Sequence, residues 1–558
     1  MTNNVLLSLL LFLSVSTSHA LVDMNSASYS NVWTDMHVQG PGYDLKIVRA
    51  YRSRTLFNGM FGFGWCSSFE TKLETTSEGN IKISECGDGQ EVVYSPREIQ
   101  KKDVENTISQ IINKMKADPK QKGLSADYYK KLQSDLFEDD NRRSSLAREY
   151  KITIPIKEGT KFLANGQEVE NVVFSKGAYI RNLADGTNQR FDLQGRMTHS
   201  YDKNANFLKF EYDKDLLVNI EDNNNRKLFF KYFPNRKVKQ VTGPNGLISE
   251  YKYNSQEDLI WNKNAWARND KEVYTYEYNE FHNLTKAIWP DKNFISLKYD
   301  NLKDWVISFT DREKCVENYK YEFSESDPRF HYWSTVTKTC DKKVMTKNRY
   351  EFWHKLLPSG EVVLSRVLTN INGSTTDITY HPIFGKAISI KKNNNVINFE
   401  YYPDGLVKTK EGANSKYEYT HDPATKKLST VKNTVSDDKG KVVSVVTNSF
   451  KYDPKGNLTY AENSDGQKIT MTYDLKGRIA TITDQAKKIV KIEYEERHGK
   501  PAVVSRPGVG VLKISYKSNG DIAKVDSPDG PTVASQVAST FSNLLDIISP
   551  ATQDAFKL

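Results

Sequence analysis

Four kinds of residue in this chain could do chemistry: cysteines able to bond, histidines able to hold a metal or move a proton, neighbouring carboxylates, and a long aromatic series able to stack on a sugar. Cys315 and Cys340 flank two strand-like runs, 316–323 and 331–339, joined at Ser324-Glu325-Ser326-Asp327-Pro328. The centre of that turn falls midway between the two cysteines. An antiparallel hairpin therefore sets their sulfurs opposite each other, and a disulfide is expected. Cys66 and Cys86 flank a similar hairpin through Ser77-Glu78-Gly79-Asn80, with a less well-centred register, and are the second candidate pair. Neither pair has the spacing of a zinc site. The nine histidines are dispersed and form no His-Glu-x-x-His pair. No Gly-x-Ser-x-Gly elbow, phosphate loop or dinucleotide fingerprint occurs. The glycine-rich run Gly59-Met60-Phe61-Gly62-Phe63-Gly64 lies among aromatics and opens no helix, so it reads as close backbone packing under Trp65. Asp139-Asp140 and Asp437-Asp438 are accounted for by helix-end solvation and turn propensity. The expectation is a chain with no catalytic residue, no cofactor and no metal, although carboxylates from distant segments meeting in the fold would suit glycan hydrolysis or a lyase.

The aromatic series is the strongest signal. Residues that end a strand recur at Phe191, Tyr212, Tyr232, Tyr253, Tyr278, Tyr299, Tyr321, Tyr350, Tyr380, Tyr401, Tyr452, Tyr473, Tyr494 and Tyr516, mostly about 21 residues apart, which marks an internal repeat. The clearest units are Phe191-Asp192-Leu193-Gln194-Gly195-Arg196-Met197, Tyr452-Asp453-Pro454-Lys455-Gly456-Asn457-Leu458 and Tyr473-Asp474-Leu475-Lys476-Gly477-Arg478-Ile479. Asp192, Asp453 and Asp474 can accept backbone N–H groups at the first turn position. Gly195, Gly456 and Gly477 supply the left-handed residue that follows, giving a type I turn closed by a bulge. Where Ala205, Glu257 or His282 stands at the glycine position, a different or less rigid turn is expected. Second turns, such as Gly243-Pro244-Asn245-Gly246 and Asn463-Ser464-Asp465-Gly466, separate the units. Between turns the chain alternates, as in Lys468-Ile469-Thr470-Met471-Thr472-Tyr473, which suits a strand with one buried face. The tyrosines are then core packing rather than a sugar ladder.

These hairpins must be positioned by the rest of the chain. Residues 1–20 read as a signal peptide: an apolar run at 5–15 and then Ser18-His19-Ala20, with an uncleaved anchor as the alternative because residues 1–4 carry no Lys or Arg. No other segment is long and apolar enough for an integral membrane span in the mature chain. Residues 21–95 form a first β module. Residues 96–150 switch to helical period, with Val104, Ile108, Ile111, Ile112 and Met115 on one face and a break at Asp118-Pro119; this is expected to be a helical pair, either packed on the sheet or docking a partner. Residues 151–526 hold the hairpin array. The tail 527–558 carries an amphipathic helix at 532–548 that would cap the last strand edge or bind a partner. The expected fold is all-β: a long antiparallel meander of hairpins, curled as a spiral strip or partial shell, with a small helical insertion and a C-terminal helix. The net charge of +9 is spread among acidic residues without a basic block, which disfavours nucleic acid as partner.

The Tyr-Asp-x-x-Gly-Arg units resemble the YD repeats of bacterial Rhs proteins, toxin-complex shells and the teneurin shell. The stretch Asp44-Leu45-Lys46-Ile47-Val48-Arg49-Ala50-Tyr51-Arg52-Ser53-Arg54, continuing to Gly62-Phe63-Gly64-Trp65, is similar to the module that opens many Rhs chains. The two resemblances span 42–516. They imply a shell architecture; the toxin that large members enclose finds no room after Tyr516. Export to the periplasm, cell surface or medium follows from the signal peptide. The leading expectation is a non-catalytic scaffold or surface-contact protein that binds a cell-envelope glycan or a protein partner. The alternatives are a toxin-related shell around a separately encoded cargo, and a polysaccharide-acting enzyme on a β scaffold.

Overall fold

Each hairpin is built from its turn outward. In the Tyr452 unit the Gly456 N–H donates to the Asp453 carbonyl at 2.9 Å and the Asp453 N–H to the Asn457 carbonyl at 2.9 Å. The Asp453 carboxylate accepts from the N–H groups of Lys455 and Asn457, and Gly456 sits at φ +81°. The register slips by one residue at Lys451/Tyr452, leaving Tyr452 opposite Leu458. This is a type I turn followed by a left-handed residue in a bulge. The computed structural model, which describes residues 21–526 and 547 apart from 87–89, 97–100, 153–155, 165–166, 358–361 and 519, repeats that geometry along a meander of 36 strands in which order follows the chain.

At the degenerate turns the expectation of a different geometry fails. Ala205, Glu257 and His282 adopt φ +66°, +69° and +63°, the same left-handed region as the glycines. Asp202 Oδ1 still accepts from the Asn206 N–H, as Asn254 Oδ1 does from the Asp258 N–H and Asn279 Oδ1 from the Asn283 N–H. The side-chain acceptor at the first turn position and the two flanking strands over-determine the backbone, so a non-glycine residue is carried at a cost of roughly 1–2 kcal/mol.

The tyrosine hydroxyl explains why the strand ends in Tyr rather than Phe. Tyr473 Oη donates to the carbonyl of Leu458, the residue opposite Tyr452. Tyr494 donates to Ile479, opposite Tyr473, and Tyr516 to Pro501, opposite Tyr494. Tyr253, Tyr278, Tyr299 and Tyr321 do the same with Val238, Leu259, Leu284 and Val306, at 2.7 to 3.0 Å. The bulge removes a carbonyl from the ladder, and the next unit's tyrosine satisfies it. Burial pushes the phenols up, Tyr473 and Tyr494 to about 12, so they stay protonated donors.

The chain falls into two compact units. One is residues 68–200. Its strands from Lys72–Thr75 onward curl until Leu73 N–H meets the Gly195 carbonyl at 3.0 Å and Lys72 bridges to Arg196. Gly195, at φ +76°, has no room for a side chain: a Cβ there would lie 1.7 Å from the Leu73 carbonyl oxygen. The helical segment of this unit holds three helices where a pair was expected: α1 Lys101–Ala117, α2 Ala126–Glu138 and α3 Asp140–Glu149. Asp139 accepts from Arg142 N–H and starts a third helix where the sequence pattern ran on without apolar period. Ile108, Ile111, Met115, Leu132, Leu136 and Ala147 form their common core. Arg143, nearly buried, donates to Glu78 at 2.7 Å and fastens the helices to the sheet of the same unit.

The other unit joins residues 21–67 to 201–526 and Ile547. Its first hairpin, Tyr29–Val38 with Leu45–Arg52, alternates buried and exposed residues and lies on the later strands. Cys315 and Cys340 are joined by a disulfide, their Cα atoms 4.4 Å apart across the hairpin that pairs Val316 with Thr339. Cys66 in this unit and Cys86 in the 68–200 unit are each disulfide-bonded. The proposed signal peptide lies outside the described residues, as does the C-terminal helix except for Ile547. That residue is buried among Phe450, Ala461, Ile469, Met471 and Ile482, and its carbonyl accepts from Asn448 at 2.6 Å. Among the described residues no helix is long and apolar enough to cross a membrane.

Candidate functional site

The sequence singled out turn residues, and the structure gives them structural work. Asp192, Asp453 and Asp474 each accept two backbone N–H groups of their own turn. The turns around Gly456 and Gly477 are brought against turns about 250 residues earlier. Asn457 Nδ2 donates to Asn204 Oδ1 at 2.9 Å, Lys203 Nζ to the Gly456 carbonyl at 3.1 Å, and Asn206 Nδ2 to the Lys476 carbonyl at 3.0 Å. A Cβ on Gly477 would lie 1.9 Å from the Asn204 amide. The row of turns thus meets itself along a polar seam.

A second polar centre escaped the sequence reading. Asp35 is the extra residue of a bulge between Thr34 and Met36. Its carboxylate accepts from Arg49 Nη2 at 2.9 Å, Tyr251 Oη at 2.8 Å and Asn262 Nδ2 at 3.2 Å, and its carbonyl from Ser249 and Ala265. The Arg49 guanidinium lies 4.4 Å from the Trp65 ring centre. With its acceptors used and no surface exposed, Asp35 is a clamp between the first hairpin and the array, not a reactive acid. The signal was available: Leu45, Ile47, Arg49 and Tyr51 share one alternation, so Arg49 is an inward charge that needs a buried partner.

The third arrangement is accessible. In the strands Val316–Phe323, His331–Cys340, Lys343–Leu356 and Val362–Ile371, Tyr319, Val336, Phe352 and Val367 are buried on one face. The other face carries Lys320, Glu322, His331, Trp333, Arg349, Glu351, Trp353 and Arg366. Register sets Glu322 opposite Trp333 and Trp333 opposite Glu351, so one tryptophan stands between two carboxylates. Trp333 Nε1 donates to Glu322 at 3.1 Å. Arg349 covers the Trp333 ring at 4.5 Å and donates to Glu351 at 3.1 Å. His331 Nε2 is 2.7 Å from Glu351 Oε1 and stacks on Trp353 at 4.6 Å. An open cavity of about 880 Å³ is lined by Glu322, His331, Trp333, Arg349 and Glu351 with the 323–326 turn. A second, of about 620 Å³, shares Glu322 and Arg349 and runs on past Thr335, Thr337, Lys347 and Asn370. Lys320, donating at 2.7 Å, holds the Glu322 carboxyl below the usual glutamate range, so it is an anionic acceptor. The sequence signal here was the alternation His331, Trp333, Thr335 against Tyr332, Ser334, Val336, which separates a polar-aromatic face from a packed one. Among the described residues no group of three or more His, Cys, Asp or Glu side chains is placed to hold a metal ion.

A family model described as a domain of unknown function, DUF6531, matches residues 21–94. No curated protein matches the chain. Among solved structures, the TcdB2-TccC3-TEV chain is 13% identical with a TM-score of 0.42, over 94% of this chain and 28% of that one. The TcdB2-TccC3 chain is 12% identical with a TM-score of 0.42, over 91% and 28%. The Photorhabdus luminescens Tc holotoxin pore, carrying a TccC3 mutation, is 11% identical with a TM-score of 0.41, over 91% and 26%. This chain therefore spans little more than a quarter of each of those chains.

Proposed function

We propose that this protein is an exported, non-catalytic scaffold of the Rhs or YD-repeat type, whose groove around Trp333 binds a polysaccharide of the cell envelope. The DUF6531 match over the first module and the meander of Tyr-Asp hairpins support the scaffold. The observation that carries the binding role is the joined pair of depressions, an elongated surface in which an aromatic ring, two carboxylates and a guanidinium converge. Sugars are held by that combination of apolar ring edges and directional acceptors and donors. Binding is the reading favoured because both carboxylates are already engaged, Glu322 by Lys320 and Trp333, and Glu351 by Arg349 and His331, an arrangement that presents fixed acceptors to a sugar.

The test is an array of envelope polysaccharides probed with the full chain and with Trp333→Ala, scoring binding and released reducing ends together. Binding lost in the variant, without released ends, is the expected result. Reducing-end release would make the protein an enzyme. Absence of binding, with a protease-protected polypeptide co-purifying from the host, would replace the reading with a cargo shell.

A further inference from the structure

The short hairpin of Asn58–Gly59 with Gly62–Phe63 packs against two turns of the array in the same unit, 233–237 and 254–258. The Val238 N–H donates to the Met60 carbonyl at 2.9 Å, and a Cβ on Gly62 would lie 2.4 Å from the Glu257 carbonyl oxygen. Backbone contacts this close fix three side chains against one another. Lys237, nearly buried, donates from Nζ to Asn58 Oδ1 at 2.6 Å and to the Gly59 carbonyl at 3.0 Å, with the Asn58 carbonyl at 3.4 Å. Glu257 Oε2 accepts from Asn58 Nδ2 at 2.7 Å and lies 3.4 Å from the same Nζ.

An amine held 2.6 Å from an amide oxygen stands one carbonyl bond from the carbon it would attack, and fixing the two groups replaces a collision in solution. The ammonium must first lose a proton. Glu257 is the base at hand: Asn58 above all, with Lys237, holds its carboxyl below the ordinary glutamate range, so it starts ionised. Its Oε2 touches both the nitrogen that must lose a proton and the nitrogen that must gain one. Lys82 and Lys476 also donate to amide oxygens, of Asn141 at 2.6 Å and Asn224 at 3.3 Å, but the carboxylates they pair with, Glu91 and Glu496, do not accept from those amide nitrogens.

We propose that Lys237 and Asn58 form an intramolecular isopeptide bond, with Glu257 carrying the proton. Nζ bonds to Asn58 Cγ, the Cγ–Nδ2 bond breaks, and Nδ2 departs. Nζ loses two protons in all: Glu257 passes one to Nδ2 and the second leaves with it, so ammonium is released and the carboxylate is restored. Nothing is oxidised or reduced. The first proton transfer is uphill and the reaction therefore slow, but each chain needs it once and escape of ammonium drives it forward. The link joins residues 179 positions apart, so the whole 68–200 unit falls within one covalent loop of the sequence.

The test needs no ligand. The full chain, purified and reduced, is weighed intact by mass spectrometry and then digested with trypsin. Wild type is expected to be lighter than the sequence of the chain as isolated by one ammonia, about 17 Da. The peptide holding Asn58 is joined to the one holding Lys237, with no cleavage after Lys237. Glu257→Gln, which keeps the shape of the relay without its basicity, and Lys237→Arg, which keeps the charge, are expected at their sequence masses. The wild-type measurement stands even where a variant folds poorly. Folded wild type at its full sequence mass, ammonia lost within a single linear peptide, or Glu257→Gln linked as completely as wild type would each overturn the proposal.

Discussion

Asp35 and Arg49 form an ion pair of which neither side chain reaches the surface. One partner is the extra residue of a bulge and the other an inward position of the facing strand, and together they hold the first hairpin to strands more than 200 residues later through Tyr251, Asn262 and Tyr276. A charge removed from such a pair leaves its partner desolvated and alone. Arg49→Met is therefore expected to lower stability by about 3–5 kcal/mol, and Asp35→Leu combined with Arg49→Met by less than the single change. Chemical denaturation followed by tryptophan fluorescence checks this, because Trp65 lies against the guanidinium.

The hydroxyl of Tyr473 and the carbonyl of Leu458 give a finer test. Tyr473→Phe keeps the packed ring and leaves a carbonyl without its donor, a loss of about 1 kcal/mol. Tyr473→Ala also removes the ring and should cost about 3 kcal/mol or more. Hydrogen exchange on the 458–479 strands should show faster opening in that order.

Gly466 and Gly477 separate backbone strain from contact. Both sit at φ +82°, but nothing lies within 4 Å of a Cβ on Gly466, while one on Gly477 would collide with the Asn204 amide. Gly466→Ala should cost about 1–2 kcal/mol, the price of the left-handed conformation alone. Gly477→Ala should cost more and raise the protease sensitivity of the 203–206 turn as well, because the seam must shift.

Acid should loosen the turns in a defined window. Burial of Asp474 opposes ionisation, but the Arg478 backbone N–H and guanidinium outweigh it and hold the carboxyl below its ordinary range. A depressed folded pKa contributes stability that is complete above the unfolded value of about 3.9 and disappears as pH falls through the lower folded value. Asp474→Asn should thus be destabilised relative to wild type at neutral pH, and the gap should close below about pH 4. Denaturation midpoints of both proteins between pH 7 and pH 2 measure it.

Much of the architecture was legible because it is local. Asp453, Gly456, Asp474 and Gly477 lie within four residues of the groups they bond or the strain they relieve, and such short-range sterics are written directly into sequence. The connection between Phe323 and His331 likewise sets the register that brings Cys315 to Cys340. Ala205, Glu257 and His282 were misread because flanking strands, not the residue's own preference, decided the backbone there.

By itself, then, the sequence determined the hairpin, its period, its turn and the packed side of each strand. Only the tertiary structure decided that Asn204 meets Asn457, that Asp35 finds Tyr251, and that the polar faces of four strands join into a groove at Trp333. Those contacts depend on the twist and curl that accumulate strand by strand over the whole array, a small rotation at each step that no local pattern encodes and whose sum places residues hundreds of positions apart side by side.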